Sequence, residues 1–267
     1  MKIKPIERIE QPTIKDFNKY ISQNQPVIIT GVANQWKAYC HWTPESFKQI
    51  FGNLTVPLRA SDNEIDVFFG EDRQEQFLRF SEYIDLISNW NSCDKRPPYF
   101  GNILLNDPEM KPIVEPIIRD FDFPNYFTDS SRNDLHLWIG AAEQKSTIHN
   151  DNYQNLNAQI FGEKAFLLFS PEQHQFVYPV KIDKELWSSP IDPQNPDLAK
   201  YPLFDRTTCI EAVLQPGEIL FIPIFWWHQA RAITTTINLN MWAFTNKISQ
   251  YWNEDNPMFI NCLNLAK

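Results

Sequence analysis

The chain has 267 residues, of which 43% are hydrophobic and 14% aromatic, and its formal net charge is -9. This composition predicts a globular protein with a sizeable core; the lack of a long apolar run or secretory signal excludes a bilayer span, so we expect a cytoplasmic protein. The acidic balance, without clustered Lys and Arg, argues against broad nucleic-acid binding and favours a polypeptide partner.

The first hundred residues predict a mixture of helices and strands. Helices are expected where a capping residue precedes an apolar face at helical spacing. They are residues 14–23 after Thr13, a helix begun by Thr43 and Pro44, and residues 80–90. Strands are expected at 26–31, through Val56 and Leu58, and through Ile65, Val67 and Phe69. Residues 97–124 are rich in proline, and we expect an irregular segment that covers one mouth of the following domain.

From residue 135 the hydrophobic pattern changes to a period of two, which is typical of strands with one buried face. Eight strands are expected, separated by turns such as Gly162-Glu163 and Pro216-Gly217. They are 135–141, 147–150, 156–161, 165–169, 209–214, 218–222, 227–233 and 236–244. This number of short strands predicts a mainly β chain of the α+β class, with a closed or two-sheet antiparallel architecture.

Residues 170–208 form a long proline-rich insert between the fourth and fifth of these strands. Loops of this length in a compact domain are usually functional, so we expect a lid or a substrate rim. Residues 245–267 are expected to form a tail with one short helix. We expect a single domain over residues 1–267, made of an N-terminal flank (1–134), a barrel (135–244) and this tail.

His149 and Asp151 stand two residues apart at a predicted strand, which places both side chains on the same face. A His-x-Asp triplet alone is weak evidence, but here it lies among short strands, with His228 on a later one. Two imidazoles and one carboxylate on one face of an ion suit an Fe(II) site that activates O2. We therefore expect His149, Asp151 and His228 to bind ferrous iron.

Three segments together carry a resemblance to a known family. They are His149-Asn150-Asp151, residues 162–171 (GEKAFLLFSP), and residues 216–223 (PGEILFIP) followed by Trp226-Trp227-His228. Over about residues 25–244 the chain resembles the JmjC/cupin-like hydroxylases, and it looks most like the asparaginyl hydroxylases typified by factor inhibiting HIF. The resemblance implies a double-stranded β-helix with Fe(II) as cofactor and 2-oxoglutarate and O2 as cosubstrates.

The resemblance also assigns side chains to the distal carboxylate of 2-oxoglutarate. Ser146 stands at a hydrogen-bonding Ser or Thr, Lys164 at the charge partner, and Tyr99 at a contacting tyrosine. A dicarboxylate inside a barrel needs a cation to offset its buried charge, which agrees with an inward lysine. The alternatives are a Lys164 ammonium in water beside the Gly162 turn, and a Tyr99 that only packs.

Three further residues match the rest of the cosubstrate site. Asn155 and Asn240 match polar residues at the iron-proximal end of 2-oxoglutarate, and Trp242 matches a residue that lines the site. From the pattern alone, either asparagine fits an outward-facing strand position equally well.

We expect the chain to hydroxylate a protein side chain, with succinate and CO2 as coproducts. The same chemistry on tRNA, methyl-lysine or a small metabolite is an alternative, as is a metal-binding cupin without oxygenase activity. A cupin that only binds metal has no need of Lys164 and Ser146. The oligomeric state is left open, with a homodimer among the options.

Overall fold

The computed structural model describes residues 1–60, 74–182 and 186–245. Within these ranges the strands are β1 (Lys2–Pro5), β2 (Arg8–Glu10), β3 (Val27–Thr30), β4 (Thr55–Ala60), β5 (Gln74–Arg79), β6 (Phe100–Leu104), β7 (Ser130–Gly140), β8 (Ile148–Asn150), β9 (Gln154–Phe161), β10 (Lys164–Phe169), β11 (Val180–Lys181), β12 (Trp187–Ser189), β13 (Thr208–Leu214), β14 (Ile219–Ile222), β15 (Trp227–Ala232) and β16 (Thr236–Thr245). The α-helices are α1 (Ile14–Ser22), α2 (Lys37–His41), α3 (Pro44–Phe51), α4 (Phe80–Ser88) and α5 (Lys111–Val114). Short 3-10 helices lie at Ala33–Gln35, Pro108–Met110, Pro171–Phe176 and Pro202–Arg206.

Fourteen of these strands form two seven-stranded sheets, and β4 pairs with β5 in a small third sheet. The first large sheet has the order β1-β13-β10-β15-β8-β12-β11, and the second has the order β2-β3-β14-β9-β16-β7-β6. Apolar side chains of both sheets meet in one cluster, which includes Phe166 and Leu168 from β10 and Leu220 and Ile222 from β14. The sheets therefore pack face to face, and the expected mainly β, two-sheet fold is confirmed.

All eight predicted barrel strands form, as β7–β10 and β13–β16. The turns between them also form as expected, because Gly162 and Gly217 both have positive φ angles, of 72° and 88°. At Gly162 a Cβ atom would lie 2.0 Å from the backbone oxygen of Thr235, so glycine is required there for space as well.

The N-terminal flank contributes strands to both large sheets. β1 pairs in parallel with β13, and β2 pairs in parallel with β3, which continues the second sheet beyond β14. The expected helices form as α1, α3 and α4; the Thr13 side chain accepts a hydrogen bond from Asp16 N, and Thr43 forms a capping box with Ser46. The strand expected through Ile65, Val67 and Phe69 and the short C-terminal helix lie outside the described residues.

The prediction of an irregular segment over residues 97–124 was wrong in part. This segment contains β6, which pairs with the barrel strand β7, and the short helix α5. Phe100 and Ile103 of β6 are buried in the main apolar core, which explains why the segment joins the sheet. Because the flank and the barrel share strands and core, we propose that they fold as one domain.

The insert over residues 170–208 also joins the barrel. Its strand β12 pairs with β8, with Ser188 directly opposite His149. The insert therefore extends the first sheet next to the strand that carries the His-x-Asp motif.

Among the residues that the structure describes, no helix has the length and apolar character to span a membrane.

Tyr83 joins α4 to the second sheet, and its loss gives a test of this packing. The Tyr83 hydroxyl donates to the backbone oxygen of Ile139 at 2.6 Å and accepts from Phe100 N at 3.1 Å, in a fully buried position. Tyr83→Phe leaves both backbone groups short of a partner, so we expect the free energy of unfolding to fall by about 2–4 kcal/mol in urea titrations. The control Tyr39→Phe, at a side chain that is 41% exposed, should change it by less than about 0.5 kcal/mol. Equal effects of the two substitutions would contradict this account.

Candidate active site

The two histidines of the predicted triad face each other on neighbouring strands. β8 and β15 pair antiparallel with His149 directly opposite His228, and Asp151 follows the end of β8. One ligand atom from each of the three residues lies within 4.8 Å of the others, and the two imidazole centroids are 4.3 Å apart. The His228 Nε2 to Asp151 Oδ2 distance of 3.5 Å is too long for a good hydrogen bond, so these atoms are better placed to share an ion.

Hydrogen bonds to the backbone fix both imidazoles in the form that a metal needs. His149 Nδ1 lies 2.9 Å from the backbone oxygen of Thr147, and His228 Nδ1 lies 2.9 Å from that of Trp226. A carbonyl only accepts, so in the neutral ring the proton lies on Nδ1, and Nε2 is the nitrogen that can bind a metal. Burial, reinforced by the nearby His149, lowers the pKa of His228 to about 4, so its ring is neutral at neutral pH. Two imidazoles and one carboxylate are a donor set that suits Fe(II).

The loop before β15 holds the two halves of the triad together through the backbone. Phe225 N donates to the backbone oxygen of Asp151 at 2.8 Å, and Ile224 N donates to the side chain of Gln154 at 3.0 Å. Phe225 has a φ of 67°, an unfavourable conformation for a bulky residue. The strained residue thus lies where the loop contacts the metal-ligand segment, a common location for strain.

One cavity of about 740 Å³ contains the triad and the other predicted site residues. The nine predicted side chains that line it are Tyr99, Ser146, His149, Asp151, Asn155, Lys164, His228, Asn240 and Trp242. The structure therefore brings all the predicted site residues into one cavity. The individual roles of these residues stay predictions.

Lys164 is a buried cation inside this cavity. It is the first residue of β10, its exposed fraction is 6%, and its Nζ lies 5.7 Å from the ring centroids of Trp138 and Phe166. In the described part of the chain no carboxylate forms an ion pair with it, and burial lowers its pKa to about 8. The side chain is thus not exposed to solvent in the turn. A buried ammonium is costly unless it is paired, so an anion bound in the cavity would stabilise it.

Ser146 and Tyr99 both line this cavity, and each carries a hydroxyl group. Ser146 Oγ accepts a hydrogen bond from Ala230 N at 3.1 Å, which leaves its hydroxyl hydrogen able to donate to an occupant. Tyr99 is 5% exposed, and burial raises the pKa of its phenol well above the usual value, so it is protonated at neutral pH. Both residues are thus suited to donate hydrogen bonds to a carboxylate.

The two asparagines point inward rather than to solvent. Asn240 Nδ2 donates to Asn155 Oδ1 at 3.2 Å, and both side chains are almost fully buried. Trp242 stacks on Tyr153, with ring centroids 4.5 Å apart, and also contacts the tilted ring of His136 at 3.8 Å. Burial lowers the pKa of His136 to about 4, and this residue is not part of the triad.

Several cavity residues were missed by the sequence reasoning. They are Arg59, Asn102, Trp138, Gln144, Lys145, Tyr153, Asn157, Phe166, Ile182, Leu186 and Ala230. Asn157 follows Asn155 by two residues on β9, so extending the period of two would have found it. Arg59 comes from β4 in the flank, and no local pattern connects it to the barrel.

Comparisons with known proteins identify a family that this chain matches. The profile of the family described as "Cupin-like domain" matches residues 14–249. "Lysine-specific demethylase 8" of Danio rerio is 28% identical over 90% of this chain and 58% of its own length. "Jumonji C domain-containing protein 5" of Drosophila melanogaster is 25% identical over 89% of this chain and 59% of its own length. "Lysine-specific demethylase JMJ30" of Arabidopsis thaliana is 25% identical over 90% and 54%.

The chain thus spans a little more than half of the length of each of these relatives. The family profile, in contrast, covers most of the chain, including the eight barrel strands β7–β10 and β13–β16 and the His-Asp-His cluster. The chain therefore belongs to the cupin-like domain family, and the relatives described above carry JmjC-domain or lysine-demethylase names.

Proposed function

We propose that this chain is an Fe(II)- and 2-oxoglutarate-dependent oxygenase that acts on a side chain of a protein or peptide. The observation that carries the proposal is the buried Lys164 ammonium, which shares one cavity with the His149, Asp151 and His228 cluster. A cupin that only binds metal gains nothing from a buried, uncompensated cation, which costs free energy. The distal carboxylate of 2-oxoglutarate would offset that charge.

The cavity residues divide the work between metal and cosubstrate. A bound ferrous ion supplies O2 reduction, for which 2-oxoglutarate decarboxylation and the substrate C–H bond provide two electrons each. One oxygen atom enters succinate and the other enters the substrate, and CO2 leaves. His149 and His228 would hold the ion through Nε2, with Asp151 as the third ligand. Lys164, Ser146 and Tyr99 would orient the diacid, and the surrounding rings exclude water.

The mouth of the cavity fits a polypeptide better than a small polar metabolite. A volume of about 740 Å³ exceeds what a five-carbon diacid fills, so room is left for a substrate side chain. Ile182 of the insert lines this cavity and is 43% exposed, which offers an apolar contact at the rim. The net charge of -9 disfavours a tRNA substrate.

Two finer activities share the same attack on a C–H bond. The names of two of the relatives favour N-methyl-lysine demethylation, in which a hydroxylated methyl group leaves as formaldehyde. The resemblance to asparaginyl hydroxylases favours hydroxylation that leaves a stable alcohol. None of the three relatives described above is named as an asparaginyl hydroxylase, so that finer resemblance stays a prediction.

The triad can be tested through turnover. We expect the wild-type protein with Fe(II), ascorbate and O2 to release succinate from 2-oxoglutarate, and His149→Ala to lower the rate by about a hundredfold or more by weakening metal binding. His41→Ala, at an exposed histidine of α2, is the control and should keep the rate. The proposal fails if the wild type neither turns over nor binds 2-oxoglutarate by calorimetry.

The lysine makes 2-oxoglutarate binding depend on pH. Its pKa is lowered to about 8, so the ammonium is charged below that pH and increasingly neutral above it. We expect the affinity for 2-oxoglutarate to weaken as pH rises from about 8 to 9.5, by at most about tenfold per unit. Calorimetry on Mn(II)-loaded protein measures this. Lys164→Gln should bind weakly at every pH, whereas Lys200→Gln, at an exposed lysine, should behave as wild type. Equal, pH-independent affinities of all three proteins would contradict the assigned role.

Mass spectrometry of treated substrates separates the finer activities. Peptide arrays with N-methylated or unmodified lysine, and proteome extracts, are incubated with wild-type protein or with Asp151→Ala. Loss of a methyl group with release of formaldehyde indicates demethylation, and gain of one oxygen atom indicates stable hydroxylation. Neither change, in the presence of coupled succinate release, would argue against a protein substrate.

A further inference from the structure

Four polar side chains of the cavity form a hydrogen-bonded array across three neighbouring strands. Trp138 Nε1 on β7 donates to Asn240 Oδ1 on β16. Asn240 Nδ2 donates to Asn155 Oδ1 on β9 at 3.2 Å, and Asn157 Nδ2 donates to the same oxygen at 2.8 Å. The three asparagines are 2%, 5% and 6% exposed, so protein contacts largely decide the orientation of their amides.

One member of this array determines the direction of all the others. An asparagine amide can turn over and exchange its oxygen and nitrogen with little change of shape, so hydrogen-bond partners decide which end points where. The indole N–H of Trp138 only donates, so Asn240 must present its oxygen to it. The Asn240 nitrogen then faces Asn155, so Asn155 must accept this hydrogen bond through its side-chain oxygen.

The consequence is found at Asn155. Its oxygen accepts from both neighbouring asparagines, while no described residue accepts a hydrogen bond from its nitrogen. Asn155 lines the cavity, so its amide nitrogen is the end offered to an occupant. A donor at this position attracts a carboxylate, whereas the reversed amide would place a carbonyl oxygen against it.

We propose that Trp138 is a positioning residue that sets which end of the Asn155 amide meets the cosubstrate. This inference rests on the proposed function, because it takes the occupant to be the 2-oxoglutarate diacid. Trp138 acts through Asn240, and it does so without adding charge to the cavity. Without the indole N–H, all three amides can reverse together and keep their mutual hydrogen bonds. Only part of the protein population then has the Asn155 nitrogen turned towards the cavity. The apparent affinity for 2-oxoglutarate falls in proportion to that fraction.

The test is Trp138→Phe, which keeps an aromatic ring and removes the N–H. Trp42→Phe is the matched control, because Trp42 is 3% exposed and donates its own N–H to Asp120 at 2.9 Å, outside the cavity lining. Calorimetry with 2-oxoglutarate on Mn(II)-loaded protein should show about threefold to tenfold weaker binding for Trp138→Phe and no change for Trp42→Phe. In turnover assays the KM for 2-oxoglutarate should rise by the same factor, with kcat within about twofold of wild type.

A second variant keeps the inference testable if Trp138→Phe does not fold. Asn157→Leu removes one of the two donors to Asn155 Oδ1 and should weaken 2-oxoglutarate binding in the same direction. The inference is overturned if Trp138→Phe, or Asn157→Leu in its place, binds 2-oxoglutarate as tightly as Trp42→Phe does. A wild-type protein that binds no 2-oxoglutarate overturns the proposed function instead, so the two failures are distinguishable.

Discussion

The register between β10, β15 and β8 is the constraint on which the site depends. β10 and β15 pair over six residues, with Lys164 opposite Ala232 and Leu168 opposite His228. Because side chains alternate along a strand, Lys164 and His228 lie on the same face of the sheet, four residues apart in register. β8 then adds His149 directly opposite His228. A slip of β10 by one residue would turn Lys164 away from the cavity, and a slip of β15 by one residue would turn His228 away.

The second large sheet carries polar side chains that are buried inside the barrel. Along β9, the alternating Leu156, Ala158 and Ile160 face the large apolar core that the N-terminal flank completes. Asn155 and Asn157, which alternate with these apolar residues, face the cavity. Burying such amides costs free energy unless they are paired, and here they pair with one another across strands. The same hydrogen bonds that stabilise the sheet therefore orient the groups offered to the cosubstrate.

Much of the barrel was predictable because its signals are local. A period of two, with Gly and Pro turns, marks each of the eight strands, and the His-x-Asp spacing marks the metal-ligand face. The position of Lys164 next to the Gly162 turn left its direction open from sequence alone, and pairing on both sides of β10 decided it. The triad was predictable because two of its members lie two residues apart at the end of one strand.

The contributions of the flank were not predictable, because they depend on pairing between distant segments. β1 joins β13 across about two hundred residues, and β6 forms within a proline-rich stretch only because β7 offers an edge. Arg59 reaches the cavity through backbone hydrogen bonds between β4 and Tyr99, for which the local sequence carries no signal. The orientation of the asparagine array likewise depends on Trp138, which is far from its partner Asn240 in sequence.

We propose that one cavity holds a metal ion and a diacid at the same time. Crystals grown anaerobically with Mn(II) and 2-oxoglutarate, analysed by anomalous diffraction, test it most directly. We expect one manganese bonded to Nε2 of His149, Nε2 of His228 and the Asp151 carboxylate, with the far carboxylate of the diacid paired to Lys164. Manganese at another position, or a diacid with both carboxylates away from Lys164, would contradict it.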